Sequence, residues 1–263
     1  MTGSAAKIGL VTGASRGIGR AIAKQLAAAG TVVAVHYNAA AADADAVVAE
    51  IIGAGGAAFA IKADLSERGG AQVLAGAFTS ELTKRYGSPG FDILVNNAGV
   101  SMRAPIEAVT EESFDRLLQV NLKSPFFLIQ ALLPQLREGG RIINLSSMGT
   151  RAAYPTMAAY APAKAGLEAL TRLLAVHLGG RHITVNSVMP GATATDMNAP
   201  ARDPVASRAV ADTIALGRVG PARGHRQGGR IPSLRRRRMG HRSADRRERR
   251  PAAVTAAKPR VIN

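Results

Sequence analysis

Six short apolar runs, each separated from the next by a longer stretch of helical period, fill the chain up to Gly220. The runs are Lys7–Thr12, Thr31–Tyr37, Ala57–Lys62, Phe91–Asn96, Arg141–Ser146 and His182–Val188. Strands that are apolar almost throughout are buried on both faces, and parallel strands need crossover helices to return the chain to the same edge. The predicted helices fall between them: Gly17–Ala29, an Ala-rich stretch ending at Ile52, Glu67–Tyr86, Ser113–Leu136 with Pro125 and Pro134 near bends, and Ala158–Leu178. Gly30 and Gly179 mark two helix ends. The pattern predicts an α/β fold built on one doubly wound parallel sheet, in a single domain without solenoid repeats.

With 47% hydrophobic residues in 263, the chain has material for a large core. It has no cysteine, so disulfides, thiol nucleophiles and thiolate metal sites are excluded. His36, His177 and His182 lack metal-ligand spacing; packing or surface roles are expected, and no metal. No apolar run approaches the roughly 18 residues of a membrane span, and a cytoplasmic location is expected.

The net charge of +16 is unevenly placed. Through Gly220 there are 20 Lys/Arg and 16 Asp/Glu, a net of +4; Pro221–Asn263 holds 14 against 2, a net of +12. Arg235–Arg238 are consecutive, and no residue after Tyr160 is aromatic. A domain over residues 1–220 and an Arg-rich tail over 221–263 that cannot build a core are the expected division.

Thr12-Gly13-Ala14-Ser15-Arg16-Gly17-Ile18-Gly19 follows the first strand and opens a helix. Its glycines permit a tight turn against a pyrophosphate, and the helix N-terminus offers free N–H groups and positive potential. Further along come Asn96-Asn97-Ala98-Gly99 at a strand end, Asn121 on a helix, Ser147 at the next strand end, Tyr160-x-x-x-Lys164, and Pro190-Gly191 after the last strand. In order and spacing, from about Lys7 to Gly220, these motifs resemble the short-chain dehydrogenase/reductase family. The resemblance implies a Rossmann-type fold and NAD(P)-dependent hydride transfer, most similar to 3-oxoacyl-thioester reductases.

Four residues separate Tyr160 from Lys164, which stacks them one helical turn apart. An ammonium there is expected to lower the phenol's pKa. The resemblance implies Tyr160 as the general acid or base, Lys164 as a holder of the nicotinamide ribose, Ser147 as the hydrogen-bond partner of the substrate oxygen, and Asn121 as the anchor of a proton-relay water. Taken alone, the pair would equally suit a packed tyrosine and a solvated lysine, and Asn121 a cap or kink. Ser147 competes with Ser146, but its distance of 13 residues from Tyr160 agrees with the family.

Cofactor contacts are expected from Gly13, Ser15, Arg16, Gly17, Ile18 and Gly19 in the turn and from Asn38 after the second strand. Asp64, Leu65, Asn96, Ala98, Gly99, Tyr160, Lys164, Pro190, Gly191 and Thr193 complete the set. Asp64 would also serve as an ordinary helix N-cap. The second strand ends in His36-Tyr37-Asn38 with no acidic residue to hold an adenosine ribose and repel a 2'-phosphate, and Arg16 suits a phosphate. NADP(H) is therefore expected over NAD(H).

Family members continue beyond a Gly-Arg-Val-Gly-like segment with a helix, a strand and a Gly-rich end. Here arginines follow instead. Met239 is ATG and Gly240 begins GG, so the frame advanced by one nucleotide contains TGG, tryptophan, a residue absent from the chain. Permissible codons turn Gln227–Ile231, Arg236–Arg242 and Ser243–Arg250 into Lys-Ala-Val-Ala-Phe, Asp-Gly-Gly-Trp-Val-Thr-Gly and Gln-Pro-Ile-Asp-Val-Ser-Gly-Gly, in the family's order. The tail thus reads as a frameshifted ending, natural or from sequencing. Taken as it stands, it leaves a sheet edge unpaired.

The expected activity is reduction of a carbonyl or oxidation of a secondary alcohol, on a 3-oxoacyl thioester or another ketone. Two other readings remain: an NAD(P)-dependent alcohol or sugar dehydrogenase, and an inactive scaffold with a polyanion-binding tail. Without aromatic stacking platforms the tail predicts salt-sensitive attraction and no specific nucleic-acid recognition. The family's dimers and tetramers form partly through the altered region, so the resemblance implies a homo-oligomer while the ending removes part of its surface.

Overall fold

The computed structural model describes residues 6–203, 205–212 and 218–221. The rest of the Arg-rich tail, and with it the shifted-frame reading, lies outside the described residues. Six parallel strands form one sheet: β1 (Ile8–Val11), β2 (Val32–Tyr37), β3 (Ala58–Lys62), β4 (Phe91–Asn96), β5 (Leu136–Leu145) and β6 (Thr184–Val188). Their order is β3-β2-β1-β4-β5-β6, so the chain runs outward from β1 in one direction and then, from β4, in the other. The helices between them are α1 (Gly17–Ala28), α2 (Ala41–Gly53), α3 (Gly70–Tyr86), α4 (Glu111–Leu118), α5 (Ser124–Leu132) and α6 (Tyr160–His177). This is the doubly wound Rossmann-type fold.

Alternation along each strand divides the apolar residues between two cores. Ile8, Leu10, Val32, Ala34, Phe59 and Ile61 join Leu74 and Phe78 of α3 and Leu128 and Leu132 of α5. Val11, Val33, Val35 and Val95 face Ala23 and Ala27 of α1 and Val47 and Ile51 of α2. The strands read as unbroken apolar runs because both faces are covered. The rings of Phe78 and Phe91 meet edge to face with centroids 5.2 Å apart, locking α3 against β4.

Two expectations change in detail. The single helix over Ser113–Leu136 is two helices joined by a π turn, Gln119–Lys123. Pro125 does not bend it, because it sits in the first turn of α5 where no N–H is needed. The fifth strand starts at Leu136 and not Arg141, running through Gly139 (φ 72°) with a register shift between Phe91 and Ile93 on its neighbour. After β6, Thr193–Ala194 (β7) pairs with Gly220–Pro221 (β8), and α7 (Ala206–Asp212) lies between them in the chain. Among the described residues no helix is long and apolar enough to cross a membrane, and no group of three acidic, His or Cys side chains gathers as a metal site.

Candidate active site

The turn after β1 is held from two sides, by residues at the ends of β4 and β2. Thr12 Oγ1 accepts the amide protons of Asn97 (3.0 Å) and Ala98 (2.9 Å), while Asn97 Nδ2 donates to the carbonyls of Thr12 (2.8 Å) and Gly13 (3.0 Å). From β2, His36 accepts the Gly13 N–H on Nδ1 at 3.0 Å, and its own carbonyl accepts the Ala14 N–H at 2.8 Å. Gly13 sits at φ 61°, and a Cβ there would stand 2.9 Å from Ala98 Cα. A Cβ on Gly19 would drive into the Gly13 carbonyl and the Asn97 amide. Ser15 is buried, Ile18 packs on the α1–α2 core, and Arg16 projects into solvent.

The α1 N-terminus has no side-chain cap and no acidic residue in its first turn. Its leading N–H groups are therefore open to an anion. Thr195 faces the turn, its Cγ2 3.5 Å from where a Gly17 Cβ would stand, and Asp196 Oδ2 lies 3.9 Å from Arg16 Nε. The segment after β6, with exposed Gly191 and half-buried Pro190 and Thr193, thus reaches back across the mouth of the turn. Glycine turn, uncapped helix and covering strand together fit a dinucleotide.

Past the end of β2, Asn38 is exposed beside Asp64 and hydrogen-bonds its carboxylate. Hydrogen bonds from Ser66, chiefly from its hydroxyl (2.6 Å), hold Asp64 below the usual carboxylate range. Asp64 does not cap α3, whose N-cap is Gly69. Leu65 is buried, and its carbonyl accepts the Ser124 hydroxyl at 2.6 Å.

At the other end of the cleft, the π turn buries Asn121 completely. Its Oδ1 accepts the Val100 N–H at 3.1 Å and its Nδ2 donates to the Val100 carbonyl at 2.9 Å. A Cβ on Gly99 would lie 2.8 Å from Asn121 Oδ1 and 3.4 Å from Lys164 Nζ, so this glycine is what lets the two groups converge. Asn96 is buried inside the sheet, donating to Asn144 Oδ1 at 2.8 Å, and its side chain serves the scaffold and not the cleft.

Tyr160 and Lys164 lie on the first turns of α6, with Pro162 tolerated between them for the same reason as Pro125. Lys164 is buried and donates to the Leu145 carbonyl at 2.8 Å; its Nζ is 5.9 Å from the Tyr160 ring centroid. Burial lowers the lysine to about 8. Burial also raises the Tyr160 phenol above its ordinary value, against a hydrogen bond from Ser147 that acts the other way. The expected lowering by the ammonium is thus not what this arrangement shows: burial outweighs the Ser147 contribution, and Lys164 adds none. Ser147, not Ser146, acts on the phenol; Ser146 turns inward to Glu168.

Two contributors were not foreseen. The sequence gives His36 a packing or surface role and does not single out Glu168; a lone imidazole at a strand end and an acid four residues beyond the lysine are the available signals.

The family model described as short chain dehydrogenase matches residues 7–206. The chain belongs to the short-chain dehydrogenase family. A hydroxynaphthalene reductase-like protein, Arp2, of Metarhizium majus is 43% identical over 194 residues, covering 73% of this chain and 70% of that protein. Among solved structures, the angucycline C-6 ketoreductase LanV with bound NADP is 45% identical with a TM-score of 0.79, covering 82% of this chain and 84% of that one. The ketoreductase LugOII is likewise 45% identical, TM-score 0.80, over 82% and 86%.

Proposed function

We propose that this chain is an NADP(H)-dependent ketone reductase. The observation that carries the reading is the convergence of Ser147, just past β5, and the Tyr160 phenol beside a buried Lys164, on the sheet whose strands β1, β2 and β4 hold the glycine turn. A phenol raised by burial is protonated near neutrality, which is the form a carbonyl reduction needs. NADP over NAD is supported by the missing acid at the end of β2, by Arg16 at the turn, and by the NADP held in LanV.

The turn residues Gly13, Ser15, Arg16, Gly17, Ile18 and Gly19 would hold the phosphates. Asn38, Asp64 and Leu65 would border the adenine, and the main chain at Asn96, Ala98 and Gly99 and the Pro190-Gly191-Thr193 segment would line the nicotinamide end. The bound nicotinamide supplies the hydride. Ser147 donates a hydrogen bond to the ketone oxygen and orients it against Tyr160, whose Oη gives its proton to that oxygen as it becomes an alcohol. Lys164 holds the ribose, and its charge steadies the phenolate left behind. The Asn121 side chain is held by Val100 through both its oxygen and its nitrogen, and we assign the relay water to its main-chain carbonyl.

Fused-ring ketones and 3-oxoacyl thioesters are the substrate classes to test first. The names of Arp2 and LanV favour the former, as does a pliable methionine wall: Met148 and Met189 are exposed on the flank of Ser147, Met189 Sδ 4.0 Å from Thr150 Oγ1. NADPH oxidation against both classes tests the reading, with turnover lost in Tyr160→Phe. A folded wild-type protein that binds NADPH and reduces neither would overturn it. For residues 221–263 we keep the shifted-frame reading, which resequencing of the gene decides.

A further inference from the structure

We infer that Glu168 is a positioning residue that clamps the Ser147 segment onto the helix bearing Tyr160 and Lys164; this rests on the reductase reading above. Glu168 follows Lys164 by four residues and Tyr160 by eight, so all three share one face of α6. Glu168 is 6% exposed. Oε1 accepts the Ser146 hydroxyl at 2.5 Å and the Thr150 hydroxyl at 2.6 Å, and Oε2 accepts from Arg151 Nη2 at 2.8 Å. Those donors lie immediately before Ser147 and three and four residues after it. One buried acid therefore gathers both ends of the short turn, Met148–Thr150, that carries the Ser147 hydroxyl.

The neighbouring bonds show what would remain without it. Ser146 N–H donates to the Val188 carbonyl (2.8 Å) and Met148 N–H to the Pro190 carbonyl (3.2 Å), toward β6, while on the α6 side Lys164 reaches only as far as the Leu145 carbonyl before the segment. The Ser146 and Thr150 hydroxyls and the Arg151 guanidinium would lose their shared acceptor on α6. A buried carboxylate satisfied by three charge-assisted donors is a rigid anchor, and Ser147 must be held within a fraction of an ångström to serve both phenol and ketone.

The test compares Glu168→Ala and Glu168→Gln with the wild type by ultraviolet difference titration of the Tyr160 phenol, Tyr160→Phe giving the background of the other tyrosines. Loss of the clamp removes the Ser147 hydrogen bond, so the Tyr160 pKa rises in Glu168→Ala; mere loss of a nearby negative charge would lower it. Glu168→Gln keeps an acceptor for the two hydroxyls and should restore most of the wild-type titration. With a ketone that turns over, kcat in Glu168→Ala should fall by about 10- to 100-fold with the KM for NADPH within about twofold. Should Glu168→Ala fail to fold, the Ser146→Ala/Thr150→Ala double variant should shift the titration the same way. An unmoved or lowered Tyr160 pKa in the variants would overturn the clamp. Wild-type inertness with that pKa rise intact would overturn only the reductase reading.

Discussion

His36 and Gly13 are joined side chain to main chain: the imidazole Nδ1 accepts the glycine amide proton at 3.0 Å, while Nε2 meets the Ala63 carbonyl at 3.1 Å. The pairing fixes the neutral ring with its proton on Nε2, because Nδ1 must accept and the carbonyl can only accept in turn. Burial depresses this imidazole from 6.5 to about 4. An acid-sensitive grip on the phosphate-binding turn follows.

Between pH 6.5 and 4 the unfolded chain takes up the His36 proton and the folded chain does not. Stability present above pH 6.5 is therefore lost progressively down to pH 4, by about 3 kcal/mol in all. Urea midpoints measured from pH 7.5 to 4.5 should fall, and should fall less steeply in His36→Asn, which offers Gly13 an acceptor that does not titrate. Equal slopes would remove His36 from the account.

Gly19→Ala should abolish or severely weaken NADPH binding, measured by calorimetry. The added methyl has only the Gly13 carbonyl and the Asn97 amide to occupy, and parting them opens the contact between the two strand-end turns. A stability loss of about 1–3 kcal/mol should accompany it.

Arg16 in this structure leans toward Asp196, which Arg202 also meets. Arg16→Ala should weaken NADPH by about 10- to 100-fold, the worth of a charge-assisted phosphate contact, and leave NADH nearly unchanged. Asp196→Asn should tighten NADPH slightly by removing a competitor. The two dissociation constants for each cofactor decide the matter.

Lys164, lowered to about 8 by burial, is charged below that pH and neutral above it. Since the charged form steadies the phenolate, kcat/KM for ketone reduction should hold below pH 8 and decline above it. Lys164→Met should lose the activity without losing the fold.

The strands were legible because coverage on both faces leaves little but apolar residues between turns, as in Val32–Tyr37. The turn, Tyr160, Lys164 and Ser147 were legible from order and spacing. What escaped detection depends on partners distant in the chain. The helix break at Gln119–Lys123 arises because Asn121 must reach Val100, 21 residues earlier, and apolar period continues straight through it. His36 finds Gly13 across 23 residues, and Glu168 finds Ser146 across 22, with nothing local to announce either.

Helix α6 is stitched to the end of β5 rung by rung: Thr171 to Asn144, Lys164 to Leu145, Glu168 to Ser146. To slide by a single turn it would have to break all three at once. The Tyr160 phenol is thereby referenced to the sheet and not to the surrounding loops. Grafting a foreign substrate lid after β6 should then change what is reduced while leaving intact the chassis that does the reducing.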